Sequence, residues 1–179
     1  MKVIFDINDR RAFWGMLNIV HTIIVASEGL LIEAAAATDE RGLKEYFRHH
    51  LSEERGHAAW LARDLHDLGA APAFDLDTAA IPGSQYYLVR HVDARALLGY
   101  MLALEGESTP IEMVDALEKA HGVGCGCLRH HAEQDPEHRK ALMEMIEVYP
   151  SPWIGPVNAW TKERVTERFL TVGRRADAD

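Results

Sequence analysis

Apolar residues in this chain recur at helical spacing, with no stretch of strand-like alternation. Phe13, Met16, Leu17, Val20, Ile23, Ile24 and Leu31 fall mostly three or four apart and predict one long amphipathic helix over residues 6–37, opening near Asn8 or Asp9. Residues 38–42 form a turn. Residues 43–68 predict a second helix that Gly69 ends, because glycine accepts the left-handed conformation found just past a helix C-terminus. After a Pro-containing loop comes a helix over 78–91, broken near Pro82-Gly83. Residues 94–107 are helical and strongly apolar (Ala96, Leu97, Met101, Leu104), and a helix over 110–121 follows a Ser108-Thr109 cap. A long helix over 123–148 carries Pro136, Pro150-Ser151-Pro152 breaks it, and residues 153–170 close the fold. The pattern predicts an all-α bundle of about seven helices in a single domain, residues 1–172, with 173–179 as a loose tail.

Composition narrows the function classes. At 179 residues, 47% hydrophobic and 26% charged, the chain is long enough for a substantial core. A net charge of −9 supplies no basic surface for nucleic acid. The two cysteines, Cys125 and Cys127, stand too close along the chain for an unstrained bridge and point to a reducing cytoplasm. Arg10-Arg11 before an apolar run imitates an export signal. Glu28, Glu33 and His21 in or beside that run favour an amphipathic helix over a leader or a membrane span. The expected partner is a small-molecule substrate, with neither nucleic acid nor membrane; a homodimer is compatible with the sequence.

The histidines cluster, and the clusters carry the candidate chemistry. His131, Asp135 and His138 lie at i, i+4 and i+7, within roughly 60° of one another on a helix. His50, Glu54 and His57 repeat that spacing, and Glu54 with His57 forms an E-x2-H unit. Glu105 closes an apolar run, where a charge needs a partner or a cation. Read singly, each has a plainer explanation: Asp135-Pro136 as a helix start, Glu53-Glu54-Arg55 as a solvated face, Glu105 as a helix end facing water. Together Glu54, His57, Glu105, His131, Asp135 and His138 supply three carboxylates and three imidazoles. These donors suit two divalent metals of the iron class, with Glu54, Glu105 and Asp135 as the acidic groups at the reacting centre. No thiolate belongs to the set, which disfavours structural zinc. His50 and Glu28 stay open as further ligands.

The segments HHLSEERGHAAWLARDLHDLG, LLGYMLALEG and HHAEQDPEH, in that order, resemble the haem-oxygenase-like di-iron oxidases, also called iron-containing redox enzymes. The resemblance spans about residues 49–148. It implies a haem-oxygenase-like all-α fold, two Fe(II) ions (manganese being the alternative) and O2 as co-substrate. The ligands it implies fall on Glu54, His57, Glu105, His131, Asp135 and His138. It further implies oxidation of a small carboxylate-bearing metabolite, an amino acid or fatty acid, by N-oxygenation, desaturation or C–C cleavage. The chain departs from the pattern in being short between His57 and His131, and in placing Pro136 inside the ligand helix, where a kink is expected.

Other readings share the fold class. A thiaminase-like hydrolase would need Cys125 or Cys127 as nucleophile. An enzyme like the one that completes pyrroloquinoline quinone would need no metal. A haem oxygenase could use His21 as its one proximal ligand. An iron-binding bundle without catalysis is the remaining alternative.

Overall fold

The computed structural model describes residues 6–107 and 109–176. Among them are eight α-helices and no strand: α1 (Arg10–Ala37), α2 (Arg41–Glu54), α3 (His57–Asp67), α4 (Leu76–His91), α5 (Ala96–Glu105), α6 (Ile111–His121), α7 (Gly126–Val148) and α8 (Ile154–Ala176). The all-α expectation holds.

Helix α1 starts where its cap residue requires. Asp9 accepts hydrogen bonds from the Arg11 and Ala12 N–H groups at 2.9 and 3.1 Å, satisfying donors that have no partner inside the helix. Its apolar stripe, including Phe13, Leu17, Leu30 and Ala34, is buried. By length and composition α1 could cross a membrane, yet here it packs against α2, α3, α4 and α8.

The expected second helix is two helices. Gly56 adopts φ 88° between α2 and α3, a conformation that terminates an α-helix and is open to residues without a Cβ. Glu28 of α1 accepts the Gly56 N–H at 3.1 Å and holds the break in place. Helix α3 ends as predicted, with Gly69 at φ 81°.

Pro82 does less than the sequence suggests. Helix α4 runs unbroken through Pro82 and α7 through Pro136. A proline removes one backbone bond; in α4 the buried face of Ile81, Pro82, Gln85 and Val89 holds the helix together by packing. Of the expected Ser108-Thr109 cap, Ser108 lies outside the described residues; Pro110 occupies the cap position of α6. Helix α8 continues to Ala176, into the predicted tail; residues 177–179 lie outside the described ones.

Helix α7 is anchored at its start. The buried Asp64 carboxylate of α3 accepts the Cys127 N–H at 2.9 Å, and Glu118 of α6 accepts the Cys125 N–H at 2.9 Å. Arg129 bridges Glu118 and Asp115 at 2.6 and 2.7 Å. At the other side of the bundle, any Cβ at Gly99 would run into the Ile154 carbonyl, so glycine permits the close approach of α5 to α8.

Candidate metal centre

The end of α2, the start of α3, the end of α5 and the middle of α7 converge. They bring six polar side chains into two clusters. One holds Glu54, His57 and His131; the other holds His50, Glu105 and His138. Within each, one donor atom per residue lies within 4.8 Å of the other two. Each cluster is two imidazoles and one carboxylate, a donor set suited to iron and related divalent metals. The side-by-side placement follows from helix periodicity. His50 and Glu54 are i, i+4 on α2, and His131 and His138 are i, i+7 on α7.

In the first cluster His57 Nδ1 is 3.4 Å from Glu54 Oε1, and the His57 and His131 ring centroids are 4.9 Å apart. Glu54 is the last residue of α2 and His57 the first of α3, so this E-x2-H unit is set by the Gly56 turn and not by a continuous helix. In the second, His50 Nε2 is 3.2 Å from Glu105 Oε1, and His138 Nδ1 is 3.7 Å from Glu105 Oε2.

The structure thus gathers five of the six sequence-expected ligands and adds His50, whose i, i+4, i+7 relation to Glu54 and His57 was the available signal. Asp135 is buried but belongs to neither cluster; its Oδ1 lies 3.5 Å from His131 Nδ1. Glu28 is engaged with the Gly56 N–H. His21 lines a separate groove between α1 and α4.

Several buried polar atoms here have no hydrogen-bond partner: His57 Nδ1, Glu105 Oε2, His131 Nε2, Asp135 Oδ1 and His138 Nδ1. A buried unsatisfied polar atom costs about 1–3 kcal/mol, so the orphaned atoms of His57 and His131 in one cluster and of Glu105 and His138 in the other fit a cation in each. The electrostatics agree. Burial pulls the His131 imidazole down, but the adjacent Asp135 carboxylate, contact with Cys127 and the Glu54 charge outweigh it and push it up to about 11. His50 is also raised: burial lowers it, and Glu105, Glu54 and Glu53 more than offset that. Glu54 is held below the usual carboxylate range, because His57, His131 and His50 outweigh the upward push of burial. Each cluster thus contains one imidazole whose protonated form its acidic neighbours favour.

Beside the clusters is a cavity of about 20 Å3, walled by Leu30, Leu31, Leu97 and Met101 and by Glu54 and Glu105. It has room for about one water-sized molecule. The Tyr100 hydroxyl, which borders it, is buried and unpartnered. Both cysteines are free and buried. Burial and the nearby Glu118 and Asp64 charges push the Cys125 thiol up to about 12. Cys127 donates its S–H to the His57 carbonyl at 3.8 Å. The Cys125 thiol, held protonated in this way, is a poor nucleophile, which weighs against it in the thiaminase-like reading.

Among curated proteins the chain is similar to the 3-demethoxyubiquinol 3-hydroxylases of Burkholderia mallei (strain SAVP1) and Burkholderia pseudomallei (strain 668), each 34% identical over 65 residues. It is similar also to that of Francisella philomiragia, 32% identical over 66 residues. These matches cover 36–37% of this chain and 31% of each relative, so the chain spans about a third of the length of the proteins it matches. No solved structure matches it. The pattern of the iron-containing redox enzymes matches residues 21–151, which include both clusters. The chain therefore belongs to the iron-containing redox enzyme family.

Proposed function

We propose that this protein is an O2-dependent oxidase with two non-haem irons, one per cluster, acting on a small metabolite. The observation that carries this is the pair of adjacent two-histidine, one-carboxylate clusters with unsatisfied buried atoms. Iron held there would supply O2 activation and the oxidising power. Glu54, His57 and His131 would hold one ion, and His50, Glu105 and His138 the other. Asp135 would accept the Nδ1 proton of His131, leaving Nε2 for the metal.

The chain's own residues do the rest. Gly56 and Glu28 fix the turn that aims Glu54 and His57 at one another. The aliphatic wall of Leu30, Leu31, Leu97 and Met101 would present an apolar surface beside the clusters. No Lys or Arg lines the cavity, which at about 20 Å3 is too small to seat an amino-acid or fatty-acid substrate as it stands. The hydroxylase names of the relatives support hydroxylation as a further branch beside N-oxygenation, desaturation and C–C cleavage. The buried free cysteines and the net charge of −9 support a cytoplasmic enzyme of small molecules.

The test is anaerobic Fe(II) loading, then O2 consumption with amino acids, fatty acids and quinols. The reading expects about two irons per chain and substrate-stimulated uptake of O2. Iron-free protein with turnover, or loaded protein that leaves O2 untouched with every class, would overturn it.

A further inference from the structure

In the His50–Glu105–His138 cluster the two imidazoles offer opposite nitrogens to Glu105: His50 its Nε2, at 3.2 Å, and His138 its Nδ1, at 3.7 Å. A cation in that cluster takes those nitrogens, so the remaining ones must carry the protons. The two rings therefore need opposite tautomers, and each proton needs an acceptor. Both outward nitrogens face one atom. Glu53 Oε2 is 3.8 Å from His50 Nδ1 and 3.7 Å from His138 Nε2. We propose that Glu53 is a positioning residue, a single carboxylate that fixes the tautomer and orientation of both imidazoles of this cluster.

This rests on the reading that the cluster holds metal. Ligating imidazoles commonly donate their other N–H to a carboxylate, and such partners set ring orientation and donor strength. In the first cluster Asp135 stands in that relation to His131 alone. Glu53 serves two rings, one on α2 and one on α7, and so ties the two helices across the site. At 3.7–3.8 Å the contact closes through a small shift of the carboxylate or through one bridging water. Its other oxygen faces outward, 3.5 Å from His49 Nε2, and the Glu53 side chain is 37% exposed against 8% for Asp135. The second cluster thus borrows its orienting carboxylate from the protein surface.

The experiment is Mn(II) titration of the full chain, followed by electron paramagnetic resonance, with circular dichroism confirming the fold of each variant. Wild type should bind two Mn(II). Glu53→Ala should weaken one of them about 10–100-fold and leave the other essentially unchanged. Glu53→Gln, which keeps an acceptor oxygen, should recover most of the loss. In a His138→Ala background, Glu53→Ala should have no further effect on the remaining ion. Unchanged binding in Glu53→Ala, or equal weakening of both ions, overturns the proposal. Complete loss of one ion in both Glu53 variants would make Glu53 a ligand and overturn it too. Wild type that binds fewer than two Mn(II) overturns the two-metal reading beneath it, an outcome distinct from two tight ions indifferent to Glu53.

Discussion

His50, which the sequence leaves open as a further ligand, sits inside a cluster, and Asp135, an expected ligand, sits beside one. The spacing of imidazoles and carboxylates along α2 and α7 was legible, because 3.6 residues per turn puts i, i+4 and i+7 on one face whatever the packing. Which atom meets which was not legible, since it depends on side-chain rotamers and on the depth of each helix in the bundle. His50 is 3% exposed and reaches Glu105, whereas Asp135 reaches back to His131 on its own helix. Two outcomes follow at this scale. His50→Ala should remove about as much bound iron as Glu105→Ala, close to one ion per chain by elemental analysis after gel filtration. Asp135→Asn, which keeps an acceptor for His131 Nδ1, should retain both ions and weaken one about 10–100-fold; loss of a whole ion in that variant would restore Asp135 to the ligand set. The cysteines belong here as well. Cys125→Ser should leave metal-dependent O2 uptake largely intact, because burial and nearby acidic charge keep its thiol protonated.

The α2–α3 break is the element on which the first cluster depends. Residues 43–68 read as one helix because their apolar periodicity is nearly continuous across Arg55-Gly56. A lone glycine in such a run lowers helix stability by only about 1 kcal/mol, too little to announce a break. What decides it is tertiary: Glu28 on α1 accepts the Gly56 N–H, and Glu54 and His57 come together across the turn at 3.4 Å. Pro82 errs in the opposite direction. It looks like a breaker, but it removes a single bond from a helix held by its neighbours. Gly56→Ala should therefore be costly for its size. A Cβ at φ 88° is strained by roughly 1–2 kcal/mol, with nothing nearby for the new methyl to pack against. Thermal melts should show a loss of that order, and Mn(II) titration should show one weakened ion, that of Glu54, His57 and His131. A Gly56→Ala protein with unchanged metal binding would show that the turn does not aim those ligands.

For the whole molecule, the bundle was legible because its class needs only periodicity and the absence of alternation; its metal-free charge balance needed the fold. A carboxylate on α5 and others on α2 and α7 lie far apart in sequence, and only their convergence places imidazolium ions among them. His131 is pushed up to about 11 in the folded state, against about 6.5 unfolded. The folded protein therefore binds this proton more tightly than the unfolded chain does. The resulting stability is fully present below about pH 6.5 and declines as pH rises toward 11. His50, also raised, acts in the same direction. Glu54, lowered, loses its contribution only as pH falls below the ordinary carboxylate range. Metal-free protein should therefore melt at progressively lower temperature from about pH 6.5 to 9.5, before tyrosine ionisation intervenes. On the proposed reading a metal would replace the proton on His131, so binding should release protons and tighten with pH over the same window. Mn(II)-loaded protein should show a much flatter melting profile, and the gap between loaded and metal-free melting temperatures should widen as pH rises. A metal-free profile that is level or rising from pH 6.5 to 9.5 would mean that the clusters do not hold protons in the metal's place.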